Sequence, residues 1–423
     1  MPEKQQNWAG NYTYSAARFH RPETVEQLQE LVSRSRKLKA LGSRHSFNGI
    51  ADSTEDLVSL ENLPPVIALN RERRTVTVSA GVTYGQLCRR LHAEGYGLPN
   101  LASLPHISVA GACATATHGS GDTNGTLSTS VAALELVTAN GALVALSRGQ
   151  HGELFQGAVV HLGGLGVVTR LTLDVAPAFA VRQEVYENLP LAQLESHFEE
   201  IVSSAYSVSL FTRWQEERVD QVWLKRLVTD EATQAPTASF FGATLAPTDR
   251  HPIAGLPAEA CTAQRGIPGP WHERLPHFRM DHTPSSGEEL QSECLVPRRY
   301  AVTAIRALAR LHQPMAPLLQ ISEIRTIAAD TLWMSPCYQQ PCIGLHFTWE
   351  KDWPAVRKLL PRIEEQLAPF EARPHWGKLF TMAPTRLRSL YPKLPDFLDL
   401  LRTYDPGGKF RNPFLDTYLF GEC

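Results

Sequence analysis

The stretch 98–121 constrains this chain more than any other, because nearly all of it is Ala, Gly, Ser, Thr, Pro and a few short apolar residues. Side chains that small supply too little volume to fill a core at native density. They suit a segment whose backbone lies against something large, such as a planar ring or a phosphate, since small residues let main-chain N–H groups approach closely. A tightly packed Ala/Gly helix uses the same residues, and the run alone does not separate the two arrangements.

A second loop of this kind comes earlier. Leu38, Ala40 and Leu41 read as a short buried strand, and Gly42, Ser43, Arg44, His45, Ser46, Phe47 and Asn48 follow as a loop. Gly42 permits a turn that a side chain would obstruct. Ser43, Ser46 and Asn48 add donors to the backbone N–H groups, which together make a concave anion site. His45 is the one nucleophilic, titratable group in the loop. A third glycine loop, at Gly163, Gly164 and Gly166, runs into a strand over 169–175. None of these is a dinucleotide fingerprint of the familiar kind: Gly119, Gly121 and Gly125 have the wrong spacing, and no G-x-x-x-x-G-K-[ST] is present. There is no G-x-S-x-G elbow, and Pro276 breaks the nearest approach to H-E-x-x-H at His272 and Glu273.

At 423 residues the chain exceeds one ordinary core, so two domains are expected. Capping boxes begin helices at Thr24 with Gln27 and at Thr83 with Gln86. Strand-like runs lie at 66–69, 75–78, 134–138 and 143–146. From about 176 the strands become longer and more aromatic, as at 207–214 and 221–227. The Pro-, Ala- and Gly-rich part from 235 to about 270 lacks periodicity and reads as surface or lid. Helices are expected at 300–312 and 353–367. A formal net charge of -2 argues against nucleic acid or an anionic membrane as partner. No apolar run is long enough to span a bilayer, and the first residues lack the apolar core of a signal peptide. Seven scattered cysteines without a CxxC pair or zinc-ligand spacing point to reduced thiols in a cytoplasmic enzyme with no metal.

Three runs carry polar residues at strand spacing. Glu323 and Arg325 share one strand face, as do His346 with Thr348 and Gln291 with Glu293. Each pair alone suits a sheet with one face in water. Together they would floor a hydrophilic pocket, provided the three strands are neighbours. Lys378, beside His375, Trp376 and Gly377, adds a cation.

These segments, with the closing Asp405, Pro406, Gly407, Gly408, Lys409 and Phe410, resemble the vanillyl-alcohol-oxidase family of FAD enzymes. Leu101–His106 with its Ser103, Glu323–Thr326, His346–Trp349 and His375–Lys378 resemble, within it, the branch of bacterial alditol oxidases. The resemblance runs from about residue 7 to 414. It implies an α+β, two-domain PCMH-type FAD-binding fold whose cap domain is built on an antiparallel sheet flanked by helices. The expected boundaries are 1–178 for the FAD-binding domain, 179–374 for the cap and 375–423 for a segment returning to the FAD domain. It implies FAD attached covalently, 8α-N-histidyl, through His45. The backbone of Gly42, Ser43, Arg44, His45 and Ser46 and of Thr115, Ala116, Thr117 and His118 would cradle the pyrophosphate. Ser103, Ser108, Gly111, Val167 and His375 would also line the cofactor. By the same resemblance Ser103, Gln291, Glu323, Arg325, Thr348 and Lys378 surround a polyol such as xylitol or sorbitol. Arg325, Lys378, His346 and Glu323 form the catalytic group.

The chemistry is consistent with those roles. A primary alcohol must lose a proton and a hydride; two cations stabilise the developing alkoxide, and His346 is the candidate proton acceptor. The implied reaction oxidises the terminal alcohol of an alditol to the aldose and reduces O2 to H2O2. The expected enzyme is a monomer whose partners are a polyol and O2. A sugar-lactone oxidase or dehydrogenase is the neighbouring alternative, and a non-catalytic carbohydrate-binding protein is the alternative of another class.

Overall fold

The computed structural model describes residues 5–229, 235–281 and 288–421. Both capping boxes do what their spacing predicts. Thr24 accepts from the backbone of Gln27 and starts the helix Val25–Arg34, which turns Leu28, Leu31 and Val32 inward. Thr83 and Gln86 cap each other reciprocally at the head of Tyr84–Ala93. The first helix leads into Leu38–Ala40, part of a three-stranded parallel sheet with Arg18–His20 and Asp56–Val58. A five-stranded antiparallel sheet follows, in the order Ile67–Asn70, Thr75–Ser79, Val167–Asp174, Val131–Val137, Leu143–Ser147.

The small-residue run takes parts of both arrangements its composition allows. Val109–Ala114 is a short helix, and the rest of the run is irregular chain beside a cavity. Its far end is tied down where Gly121 N–H donates to Thr326 O at 2.9 Å, which joins it to the second half of the molecule.

That second half is one large antiparallel sheet. The central strands lie in the order Ala180–Pro190, Arg218–Leu227, Ser207–Thr212, Leu319–Ile327, Cys342–Glu350, Glu289–Pro297. One face carries Leu210, Leu224, Ile324, Leu345, Phe347 and Trp349 and forms a core with the helices Ala301–Ala309 and Trp353–Leu367. Leu359, Leu360 and Ile363 of the second helix are buried there, each such side chain contributing about 1.5–3 kcal/mol. The Trp349 indole donates to Ser292 Oγ at 2.9 Å and that of Trp214 to Ser322 Oγ at 2.8 Å, so these buried N–H groups are satisfied. The opposite face is polar and looks into the cavity.

Two findings differ from the sequence reading. The part from 235 to about 270 is more than surface: Ala243–Leu245 extends the large sheet, while Thr262 and Gln264 are buried. The helix Arg148–Val159, with Gly152 in a non-helical conformation, had no clear periodic signal.

The chain ends close the structure. Phe397, Leu401 and Phe410 join the core that holds Leu28, Val76 and Leu134. Asp405 accepts from the backbone N–H groups of Lys409 and Phe410 at 2.7 Å, and Lys409 O accepts from Leu38 N–H at 3.0 Å. Asn48 Nδ2 donates to Trp376 O and Lys378 O at 2.9 and 2.8 Å, and Phe47 N–H to Gly377 O at 2.8 Å. These bonds bring Lys378 to the His45 loop.

Candidate active site

A cavity of about 860 Å³ runs from the 42–46 loop to the polar face of the large sheet. Its size is near the top of the roughly 300–1,000 Å³ usual for small-molecule sites, more than a sugar-sized ligand alone requires.

At one end the walls are backbone and small side chains. A Cβ at Gly42 would stand 2.6 Å from Ser108 Oγ, and one at Gly111 would stand 2.8 Å from the same oxygen. A side chain at either place would force Ser108 to move, and the space the two glycines leave forms a cradle. Ser43 Oγ accepts from Ser108 N–H at 2.9 Å and fixes the two loops together. Ser108 Oγ is buried without a hydrogen-bond partner in the protein, as is Nδ1 of His45. The His45 ring stacks on Trp8, with centroids 5.3 Å apart and an interplanar angle of 21°. Burial first, and then the charge of Lys378, push the imidazole down to about 4. His45 is thus neutral at ordinary pH and partly buried at the cavity wall. Unpartnered polar atoms beside a glycine cradle, in a cavity of this size, fit an FAD whose polar groups the loops would meet.

At the other end the strands align as their alternation requires. Glu323 pairs in register with His346, and His346 with Glu293; Thr348 pairs with Gln291. Arg325 stands opposite Gly344, where a Cβ would come within 3.1 Å of Glu293 Oε1, so the glycine makes room for that carboxylate. Arg325 Nη2 donates to Glu293 Oε1 at 2.8 Å, and its Nε lies 3.6 Å from Glu323 Oε2. Glu293 also lies 3.2 Å from His118 Nε2 and 3.5 Å from His346 Nδ1. His277 Nε2 is 2.7 Å from Glu323 Oε1. Lys378 sits over the Phe47 ring at 4.9 Å and donates to Gln291 Oε1. Burial would raise both carboxyls, but His118 and Arg325 hold Glu293, and Arg325 and His277 hold Glu323, well below the usual range. Arg325 is held charged by Glu323 and Glu293 against the opposing effect of burial. Burial lowers Lys378 to about 8 and lowers His346 below its ordinary value. The site therefore sets two carboxylates against two cations around an uncharged His346.

The cavity brings together Gly42, Ser43, Arg44, His45, Ser46, Ser103, Ser108, Gly111, Thr115, Thr117, His118, Gln291, Glu323, Arg325, His346, Thr348, His375 and Lys378. Ala116 and Val167 are not in its lining. Ala116 is packed in the core with a φ of 54°, and Val167 faces the core because strand alternation turns its neighbours Gly166 and Val168 to the cavity instead. Glu293 was visible beside Gln291, and its shared strand parity was the signal for its place in the site. Trp8 and His277 had no such signal.

Residues 16–147 match the model of the FAD binding domain family, and 288–418 match that of the D-arabinono-1,4-lactone oxidase family. The chain is 51% identical over 418 residues to an alditol oxidase of Streptomyces sp., covering 98% of this chain and 99% of that one. It is 24% identical over 445 residues to the L-gulonolactone oxidase of Mus musculus, covering 98% of each. In fold it is similar to the crystal structure of cholesterol oxidase from B. sterolicum, with a TM-score of 0.78 at 17% identity over 98% of this chain and 96% of that one.

Proposed function

The chain belongs to the alditol oxidase family of FAD-binding oxidoreductases, and from that premise we propose that it oxidises the terminal primary alcohol of alditols such as xylitol and sorbitol to the aldose, with O2 reduced to H2O2. The observation that carries this reading is the single cavity that joins the His45 cradle to a hydroxyl-binding sheet face.

Gly42–Ser46, Ser103, Ser108, Gly111, Thr115, Thr117, His118 and His375 would hold the cofactor, and His45 would tie it covalently through its free Nδ1. FAD held there would supply the hydride acceptor and the route for the electrons to O2. The protein positions the alcohol and manages its proton. Arg325 and Lys378 stabilise the developing alkoxide in a site whose low dielectric strengthens both interactions. The Glu293 carboxylate, 3.5 Å from His346 Nδ1, favours a proton on that nitrogen. His346 Nε2, 3.4 Å from Thr348 Oγ1, is then the acceptor for the hydroxyl proton. Ser103, Gln291, Glu323 and Thr348 pair with the remaining hydroxyls, and a site built on such pairs rejects substrates that lack them.

The two largest hydrophobic cores broadly follow a division into an FAD-binding part, 1–178 with 375–423, and a substrate part, 179–374, although Val181, Trp271, Leu275, Trp333 and Met334 pack into the first core and Phe47 and Leu379 into the second. The six described cysteines are unpaired and buried, which suits a cytoplasmic setting. Among the described residues no helix is long and apolar enough to cross a membrane.

The test is a substrate panel with oxygen uptake and peroxide detection on the purified protein. Peroxide from xylitol or sorbitol and none from L-gulonolactone is the expected result. Turnover of the lactone alone would move the protein to the sugar-lactone branch. A colourless protein after expression with ample riboflavin would overturn the flavoenzyme assignment.

A further inference from the structure

Behind the polyol-facing carboxylate lies a buried pair that the reaction scheme leaves unused. Lys225, on the strand Arg218–Leu227, is 1% exposed, and its Nζ meets three acceptors: Leu275 O, Pro276 O at 3.2 Å and His277 Nδ1 at 3.2 Å. Glu323, held as a carboxylate, can only accept at His277 Nε2, and with the ring neutral Nδ1 is left as the acceptor for Lys225 Nζ, which donates whether it carries two protons or three. The ring proton then sits on Nε2, which lies 2.7 Å from Glu323 Oε1 and donates to it. The imidazole is held edge-on between Phe211 and Trp223, with centroids 5.4 and 5.3 Å away, so it is not free to flip. One Glu323 oxygen is committed to His277, while Oε2 lies 3.6 Å from Arg325 Nε, and all three residues line the cavity.

We propose that His277, locked in its Nε2–H tautomer by Lys225, is a positioning residue that orients Glu323 for the substrate's hydroxyls. The inference rests on the polyol reading for what Glu323 grips, but the lock itself does not depend on it. Burial holds the imidazole near 4, with Lys225 acting in the same direction, so the donor to Glu323 is a neutral ring. Without the lock Glu323 turns toward Arg325, and the hydroxyl contact is lost while Arg325, Lys378 and His346 stay in place. The expected signature is therefore in binding rather than in the chemical step.

Two measurements on the full-length flavoprotein test this. In steady-state kinetics with xylitol and sorbitol, His277→Leu raises KM roughly tenfold, the usual scale for one lost hydrogen bond to a charged group. Its kcat changes less than about threefold. His277→Gln keeps an N–H donor and recovers most of the loss. KM within twofold of the parent in His277→Leu, or an equal fall in kcat with KM unchanged, overturns the inference. Imidazole ¹⁵N spectra of histidine-labelled protein, with His277 identified by its absence from His277→Gln, show the Nε2–H form in the parent. Lys225→Met releases that preference and serves where His277→Leu fails to fold. An Nδ1–H form in the parent, or spectra unmoved by Lys225→Met, also overturns it. A parent enzyme that turns over no polyol while showing the locked tautomer removes the functional reading and leaves the lock standing.

Discussion

The two ends of the cavity are built by opposite means. At the His45 end the chain subtracts: glycine, alanine and serine clear space, the imidazole is uncharged, and buried polar atoms are left without protein partners. At the sheet end the chain adds: Glu293, Glu323 and Arg325 are long, charged and mutually engaged, and Lys378 donates to Gln291 beside them. A large rigid group is received by removing side chains, whereas a developing charge is received by fixing charges that already balance one another. The first end should therefore tolerate the loss of its key residue structurally, and the second should not.

The largest expected effect breaks the second end. Arg325→Ala leaves two buried carboxylates without their shared cation, and stripping one partner from a buried ionic group costs about 3–5 kcal/mol. It also removes one of the two alkoxide-stabilising groups, a loss of about 10²–10³ in kcat. Denaturant unfolding and steady-state kinetics on one preparation report both. Unchanged stability with lowered turnover would mean that the charges are catalytic ornaments on an independently stable sheet. The corresponding change at the first end, His45→Ala, abolishes flavin retained after acid precipitation but alters unfolding free energy by less than about 1 kcal/mol. Yellow, acid-stable flavin on that variant would reassign the attachment site.

The same contrast governs what could be read from the sequence. The 42–48 loop and the 98–121 run are contiguous, so their small residues declared a close approach without any knowledge of tertiary contacts. Both capping boxes and the helix Trp353–Leu367 were legible for the same reason, since caps and periodicity are local. The polar sheet face was only half legible. Alternation gave each pair a common face, but strand adjacency is a tertiary fact, and it alone turned Glu293 from a neighbour of Gln291 into the hub of the site. Val167 packs into the core, and its neighbours Gly166 and Val168 line the cavity on either side of it. His277 reaches Glu323 from 46 residues upstream, across the strand Glu289–Pro297 and the helix Ala301–Ala309, and Trp8 reaches His45 from the N-terminal segment. No local pattern encodes either meeting.

A smaller effect sharpens the comparison at the cradle. Gly42→Ala places a methyl 2.6 Å from Ser108 Oγ, so the serine must rotate into the space meant for the cofactor. Flavin content per chain, read from absorbance, should fall severalfold while the apoprotein keeps its fold. Ser108→Ala alone costs under about 1 kcal/mol, since its hydroxyl has no protein partner to lose. Combined with Gly42→Ala it should restore part of the flavin. Double-variant content no better than that of Gly42→Ala would show that the backbone, rather than Ser108, limits the space.

The smallest expected effect is in pH, and it is confined to the sheet end. Burial lowers Lys378 to about 8, with Arg325 acting in the same direction and Glu293 opposing. A cationic group with a depressed folded pKa loses its proton as pH rises through that value, so its help to the alkoxide is complete below about 8 and fades above. kcat/KM should accordingly decline by a few-fold between pH 8 and 9. Lys378→Arg, which stays charged throughout, should lower the plateau yet remove the decline. His45, at about 4, stays uncharged across the same range. Covalent attachment followed in apoprotein supplied with FAD should therefore show no step between pH 6 and 9 from this residue. A basic limb in attachment, with turnover flat to pH 9, would reverse the assignment of the neutral and charged ends.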